Sequence, residues 1–93
     1  MAEPDAPSIR KAILTLVAER GEGKTICPSE AARLLTDEDW RRLMPKVREA
    51  AIRLAKDGAI IITRKGKVVD PDNFKGVYRL GVSLQEAGDG EAA

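Results

Sequence analysis

The stretch "RRLMPKVREAAIRLAKDG", residues 41–58, carries six cations: Arg41, Arg42, Lys46, Arg48, Arg53 and Lys56. Arg64, Lys65 and Lys67 follow soon after. Side chains of this kind hold phosphate oxygens, and the guanidinium fork also fits the guanine edge in a duplex groove. Residues 41–80 hold 11 Lys/Arg against 4 Asp/Glu, a net charge of +7, although the whole chain carries only +1. Residues 1–40 and 81–93 are each net −3. Charge separated in this way points to a polyanionic partner.

Other chemistry is poorly supplied. The chain has no histidine, which removes imidazole-based triads, bases and metal ligands. Its one cysteine, Cys27, has no partner for an internal disulfide, a zinc site or a thiol–imidazole nucleophile. These absences argue against an enzyme, and no cofactor or metal is expected. Cys27 stands just before Pro28 at a helix start, where a thiol can become reactive. A small, half-buried turn residue is the simpler reading. The string "GEGKT" is similar to the end of a phosphate-binding loop, but that motif needs a glycine where Ala18 stands and a strand where a helix is expected. A turn accounts for it. An aromatic content of 3% disfavours a single-strand or RNA stacking platform, which needs exposed rings.

The elements that must position the cations are readable in outline. At 93 residues the chain has room for one small domain. No apolar run approaches the roughly 18 residues of a membrane span, and "MAEPDAPS" does not resemble a secretory signal. With a single cysteine, this predicts a cytoplasmic protein with no membrane partner. Residues 1–7 are expected to form a flexible arm, 8–82 the domain, and 83–93 an acidic, disordered tail.

"SIRKAILTLVAERG" predicts a first helix, capped by Ser8 and closed by Gly21. Ile9, Ala12, Ile13, Leu16 and Val17 share one face at helical spacing. Thr25 and Ile26 suit a brief strand. "CPSEAARLL" predicts a short helix with Pro28 in its first turn and Glu30 at its positive end. Ala31, Leu34 and Leu35 are expected to face inwards. A turn over residues 37–43, capped by Thr36 or Asp37, leads to a third helix over 45–57, since an interior proline breaks a helix. Trp40 suits a packing role at the core edge.

On the third helix Val47, Ala50, Ala51 and Leu54 form the packing face. Glu49, Ile52 and Lys56 lie opposite, flanked by Arg48 and Arg53. "AIIITRKGK" favours a strand. It pairs with "GVYRLGV" across a long basic loop over about residues 65–76, or turns tightly at Lys65–Gly66 to meet Val68 and Val69. The order helix, strand, helix, helix, strand, strand predicts an α+β, mainly helical fold. It is the winged-helix order, a three-helix helix-turn-helix core followed by a β-hairpin wing.

The strings "KTICPSE" and "LMPKVR", within "SIRKAILTLVAERGEGKTICPSEAARLL", "LMPKVREAAIRLAKDG" and "ITRKGKVVDP" with "YRL", carry a family resemblance. The chain resembles a family of short, mostly bacterial proteins of unknown function over about residues 8–80. The resemblance implies a winged-helix-like fold and supplies no catalytic residues.

Two functions follow as expectations. In the first, the third helix enters the major groove of duplex DNA and the wing holds the backbone. Arg41, Arg42, Lys46, Arg48, Arg53, Lys56, Arg64, Lys65 and Lys67 then form the contact surface. In the second, the domain is a protein-interaction module or homodimer that does not bind DNA. An exposed Ile52 supplies the contact there, and Glu49 sits more comfortably than beside phosphates.

Overall fold

The computed structural model describes residues 4–83. The helices are α1 (Ala6–Arg20), α2 (Pro28–Leu35) and α3 (Trp40–Lys56). The strands are β1 (Thr25–Ile26), β2 (Ile60–Arg64), β3 (Lys67–Val68) and β4 (Arg79–Val82). The strands form one antiparallel sheet in the order β1-β4-β2-β3. Three helices followed by a small sheet is an α+β fold compatible with the winged-helix layout. Of the acidic tail expected over 83–93 only Ser83 is described, and it is buried rather than part of a disordered tail; the rest of the tail and the first three residues of the arm lie outside the described residues.

The core gathers one stripe from each helix and the inner face of the sheet. Ile9, Ile13, Leu43, Val47, Ile26, Ile60, Ile62 and Leu80 are fully buried within it. Each such aliphatic side chain stabilises the fold by about 1.5–3 kcal/mol on burial. On α2 the buried stripe is Pro28, Ala31 and Ala32, with Leu35 half-buried. Leu34 falls outside this i, i+3, i+4, i+7 pattern and is exposed, contrary to the expectation from its hydrophobicity.

Three boundaries differ from the sequence reading. α1 begins three residues earlier, taking Ala6 and Pro7 out of the expected flexible arm, because Asp5 rather than Ser8 caps it; Asp5 Oδ1 accepts the Ser8 N–H at 3.0 Å. α3 begins at Trp40, ahead of Pro45, with Asp39 as its first flanking residue and neither Thr36 nor Asp37 capping it. Thr36 instead ends α2. Pro45 removes one hydrogen bond to the first turn and crowds the Arg41 carbonyl, which costs about 3 kcal/mol in a helix interior. The helix persists because Leu43 and Val47, on either side of the proline, are both buried in the core. Trp40 also packs against that core from the first turn.

Both pairings considered for β2 occur, one on each edge. Toward β4 the register runs from Ile60↔Val82 to Thr63↔Arg79. Toward β3 it is Thr63↔Val68 and Arg64↔Lys67, and the Val69 N–H adds a bond to the Ile62 carbonyl at 2.9 Å. The turn between β2 and β3 is Lys65–Gly66, with φ of 51° and 81°. Positive φ at both central residues suits the right-handed twist of a two-residue hairpin, and Gly66 takes it without steric cost. Residues 69–78 then cross back as a return loop to β4.

Candidate nucleic-acid interface

The nine expected contact residues fall into two groups with different surroundings, and Lys56 belongs to both. Arg48, Lys56 and Arg64 hold the return loop. The Arg48 guanidinium lies 4.2 Å from the centroid of Phe74 and 5.8 Å from that of Tyr78, and it donates to the Phe74 carbonyl at 3.1 Å. Phe74 and Tyr78 meet edge to face, 5.1 Å apart, and both are buried. Burial pushes the Tyr78 hydroxyl up to about 12, so the ring stays neutral beside this cation. Arg64 Nε donates to the Val77 carbonyl at 2.9 Å. A Cβ on residue 76 would stand 3.0 Å from Arg64 Nη2, and φ there is +85°, so glycine suits that position twice over. Lys56 Nζ lies 2.8 Å from Asp72 Oδ1.

The second group faces outwards. At about 100° per residue, Arg42, Pro45, Lys46, Glu49, Arg53 and Lys56 fall in one sector of α3, opposite the buried stripe. All six are exposed. This sector holds four cations and one carboxylate on a helix about 25 Å long. Arg53 contacts Asp57 at only 3.8 Å, with both side chains mostly exposed, and such a pair holds the guanidinium weakly. Lys65 and Lys67 are exposed at the hairpin tip. Arg41 rests over Trp40, 4.6 Å from the ring centroid, with Arg33 at 4.4 Å.

Ile52 departs from its expected role. It is half-buried and packs against the core. The sequence also gave no warning of a polar clamp on the far side of the sheet. Arg79 donates to Thr25 Oγ1 at 2.6 Å and to the Thr25 carbonyl at 3.1 Å. Arg20 donates to the same carbonyl at 2.9 Å and pairs with Glu30. Glu30 also accepts the Cys27 N–H at 2.9 Å. That backbone bond, then Arg20, holds the Glu30 carboxyl below its ordinary range. The spacing Cys27–Glu30 is the one visible sign, since a glutamate three residues into a helix can reach back to the residue before it. The thiol lies 3.1 Å from Ser29 Oγ. Cys27 thus shapes the start of α2.

Among the described residues, no helix is long and apolar enough to cross a membrane. No curated protein matches the chain. A family model described as protein of unknown function (DUF3253) matches residues 6–83. That match starts at the first residue of α1 and ends just past β4, so it takes in every helix and strand described. The chain belongs to the DUF3253 family of proteins of unknown function.

Proposed function

We propose that the protein binds duplex DNA through the exposed sector of α3 and the Lys65–Lys67 hairpin tip. The observation that carries this reading is the sector itself: Arg42, Lys46 and Arg53 are exposed beside one carboxylate, Glu49, over about three turns of helix, with Lys56, bound to Asp72, at its end, on a chain of nearly neutral total charge. Such a stripe neutralises phosphates and releases their counterions. Arg42, Lys46 and Arg53 carry the contact on α3, with Lys65 and Lys67 on the hairpin. Arg41 and Lys56 lie at its margins. Arg48 and Arg64 act one step removed, by fixing the return loop beside the helix. Under this reading the protein is a bacterial, cytoplasmic winged helix, and its free Cys27 suits a reducing compartment.

Interaction with a protein partner or a second copy is the competing reading. It drew on an exposed Ile52, and that side chain packs inward.

Fluorescence anisotropy of a labelled random-sequence duplex, titrated at low and moderate salt, tests the proposal. Affinity should fall steeply as salt rises. Changing Arg42, Lys46 and Arg53 together to Ala should lower the log–log salt slope by about 3. Absence of binding at low salt would overturn the reading and turn attention to a protein partner.

A further inference from the structure

A groove of about 190 Å³ opens where β3 ends and the chain leaves the sheet. Its accessible apolar lining is Ile61, Val68, Val69 and Pro71; Val68 is 64% exposed and the other three are half-buried. Ser83, the last described residue, lines the same groove. The segment Leu84–Ala93 therefore starts at the groove's rim. Its first residue is apolar, it carries Glu86, Asp89 and Glu91, and it holds no cation.

The charges around the groove are uneven. Lys65 and Lys67, next to Val68, are exposed, and among the described residues no carboxylate holds either one. At the other end Asp70 and Asp72 flank Pro71. Lys56 pairs with Asp72, while Asp70 accepts only the Asp72 N–H and keeps its charge. An acidic segment is thus drawn toward the hairpin tip and repelled from the return loop. The groove is smaller than the roughly 300–1,000 Å³ of small-molecule sites, which suits a side chain better than a free ligand. A second copy placed here across a two-fold axis would set the lysine pair against itself. Leu84–Ala93 meets both features, and its reach is sufficient: three residues from Ser83 span up to about 10 Å and eight up to about 28 Å.

We infer that Leu84–Ala93 docks on its own domain. Leu84 packs on Ile61, Val68 and Val69, and Glu86, Asp89 and Glu91 lie along Lys65 and Lys67. Both lysines belong to the surface proposed to meet DNA, so the docked segment competes with duplex phosphates. That regulatory consequence rests on the proposed function; the docking does not.

The test is NMR of the isotope-labelled full chain at low salt. Leu84 methyls should show NOEs to the methyls of Val68 and Val69. Leu84→Asp should remove the contact and move the Ile61, Val68 and Val69 amides, and the dispersion of its own spectrum reports that it is folded. Glu86→Gln, Asp89→Asn and Glu91→Gln, made together, should shift the Lys65 and Lys67 amides. The same variant should bind duplex about tenfold tighter at low salt, with the difference shrinking as salt rises. Absence of the Leu84 contacts, or Lys65 and Lys67 amides unmoved in the charge variant, overturns the docking. Contacts found only between differently labelled copies overturn it in favour of a dimer. Docking in a chain that binds no duplex keeps the docked segment and removes the proposed function. Duplex binding without the Leu84 contacts does the reverse.

Discussion

Arg48 and Arg53 stand five residues apart on α3 and differ in almost everything else. Arg48 lies over Phe74 and Tyr78 and donates to a part-buried carbonyl. The Arg53 side chain is 71% exposed, with one distant carboxylate for company. Five residues turn a helix by about 140° beyond a full turn, enough to move a side chain from a covered edge to open solvent. The contrast teaches that a basic segment is not one surface. Some of its charge builds the fold, and the rest lies on the exposed side of the helix.

The largest expected effect falls on the covered side. Arg48→Ala removes two cation–ring contacts and leaves the Phe74 carbonyl short of a donor, and should cost about 2–3 kcal/mol in urea denaturation. Arg48→Lys should recover little of it, because an ammonium lacks the planar fork. Arg53→Ala should stay within about 0.5 kcal/mol of wild type. Equal costs for the two alanine variants would break the comparison.

Next comes binding. Arg53→Ala combined with Lys67→Ala should weaken duplex affinity about tenfold and lower the salt slope by about 2, with stability nearly unchanged. Arg48→Ala, measured where it remains folded, should keep the wild-type slope. A lower slope for Arg48→Ala would move that residue into the contact surface.

Glu30 extends the comparison to a carboxylate that serves the fold. Glu30→Ala should cost on the order of 1 kcal/mol at neutral pH through loss of the bond to the Cys27 N–H. The folded pKa of Glu30 is depressed, so its contribution is present above the ordinary carboxylate range and is lost as pH falls through the folded value. Part of the acid-induced loss of stability should therefore vanish in Glu30→Gln, which keeps an acceptor but does not titrate. Superimposable pH profiles of urea midpoints for wild type and Glu30→Gln would contradict this. The carboxylate is 35% exposed, so solvent screens the pair with Arg20 and the backbone bond dominates.

The smallest effect has two signs. Lys65 holds a φ of 51°, a region that Asn tolerates better, and Asn-Gly is the favoured pair for such a hairpin. Lys65→Asn should raise stability by about 0.5 kcal/mol while lowering the salt slope of duplex binding by about 1. A stability gain with no change in slope would remove Lys65 from the interface.

Much of the fold was legible because local rules sufficed. Ile9, Ala12, Ile13 and Val17 recur at helical spacing and are buried on α1. Val47, Ala50, Ala51 and Leu54 do the same on α3. Pro28, Thr25–Ile26 and the triple isoleucine also lie where propensity sets them. The start of α3 was not legible. Pro45 is a local breaker, and only the burial of Leu43 and Val47 outweighs it.

The candidate site was legible by composition and not by position. Charge counts over residues 41–80 reveal an excess of cations without telling which are exposed. Arg48 and Arg64 look the same in sequence as Arg42 and Arg53, because the carbonyls that engage the first two lie 26 and 13 residues away. Leu34 and Ile52 exchanged their expected environments for the same reason: each was judged from its own helix, while a neighbouring element decides what is covered.

The amino-acid order by itself determined most of the helix and strand segments, the apolar faces of α1 and α3, and that the middle of the chain is basic. Those properties depend on neighbours a few residues apart. Tertiary structure alone decided that β2 is paired on both edges and that a helix runs through Pro45. It also sorted the cations into those that fasten the return loop and those that line the outer sector. These outcomes depend on contacts between residues far apart in the chain, where packing and carbonyl geometry outweigh local preference.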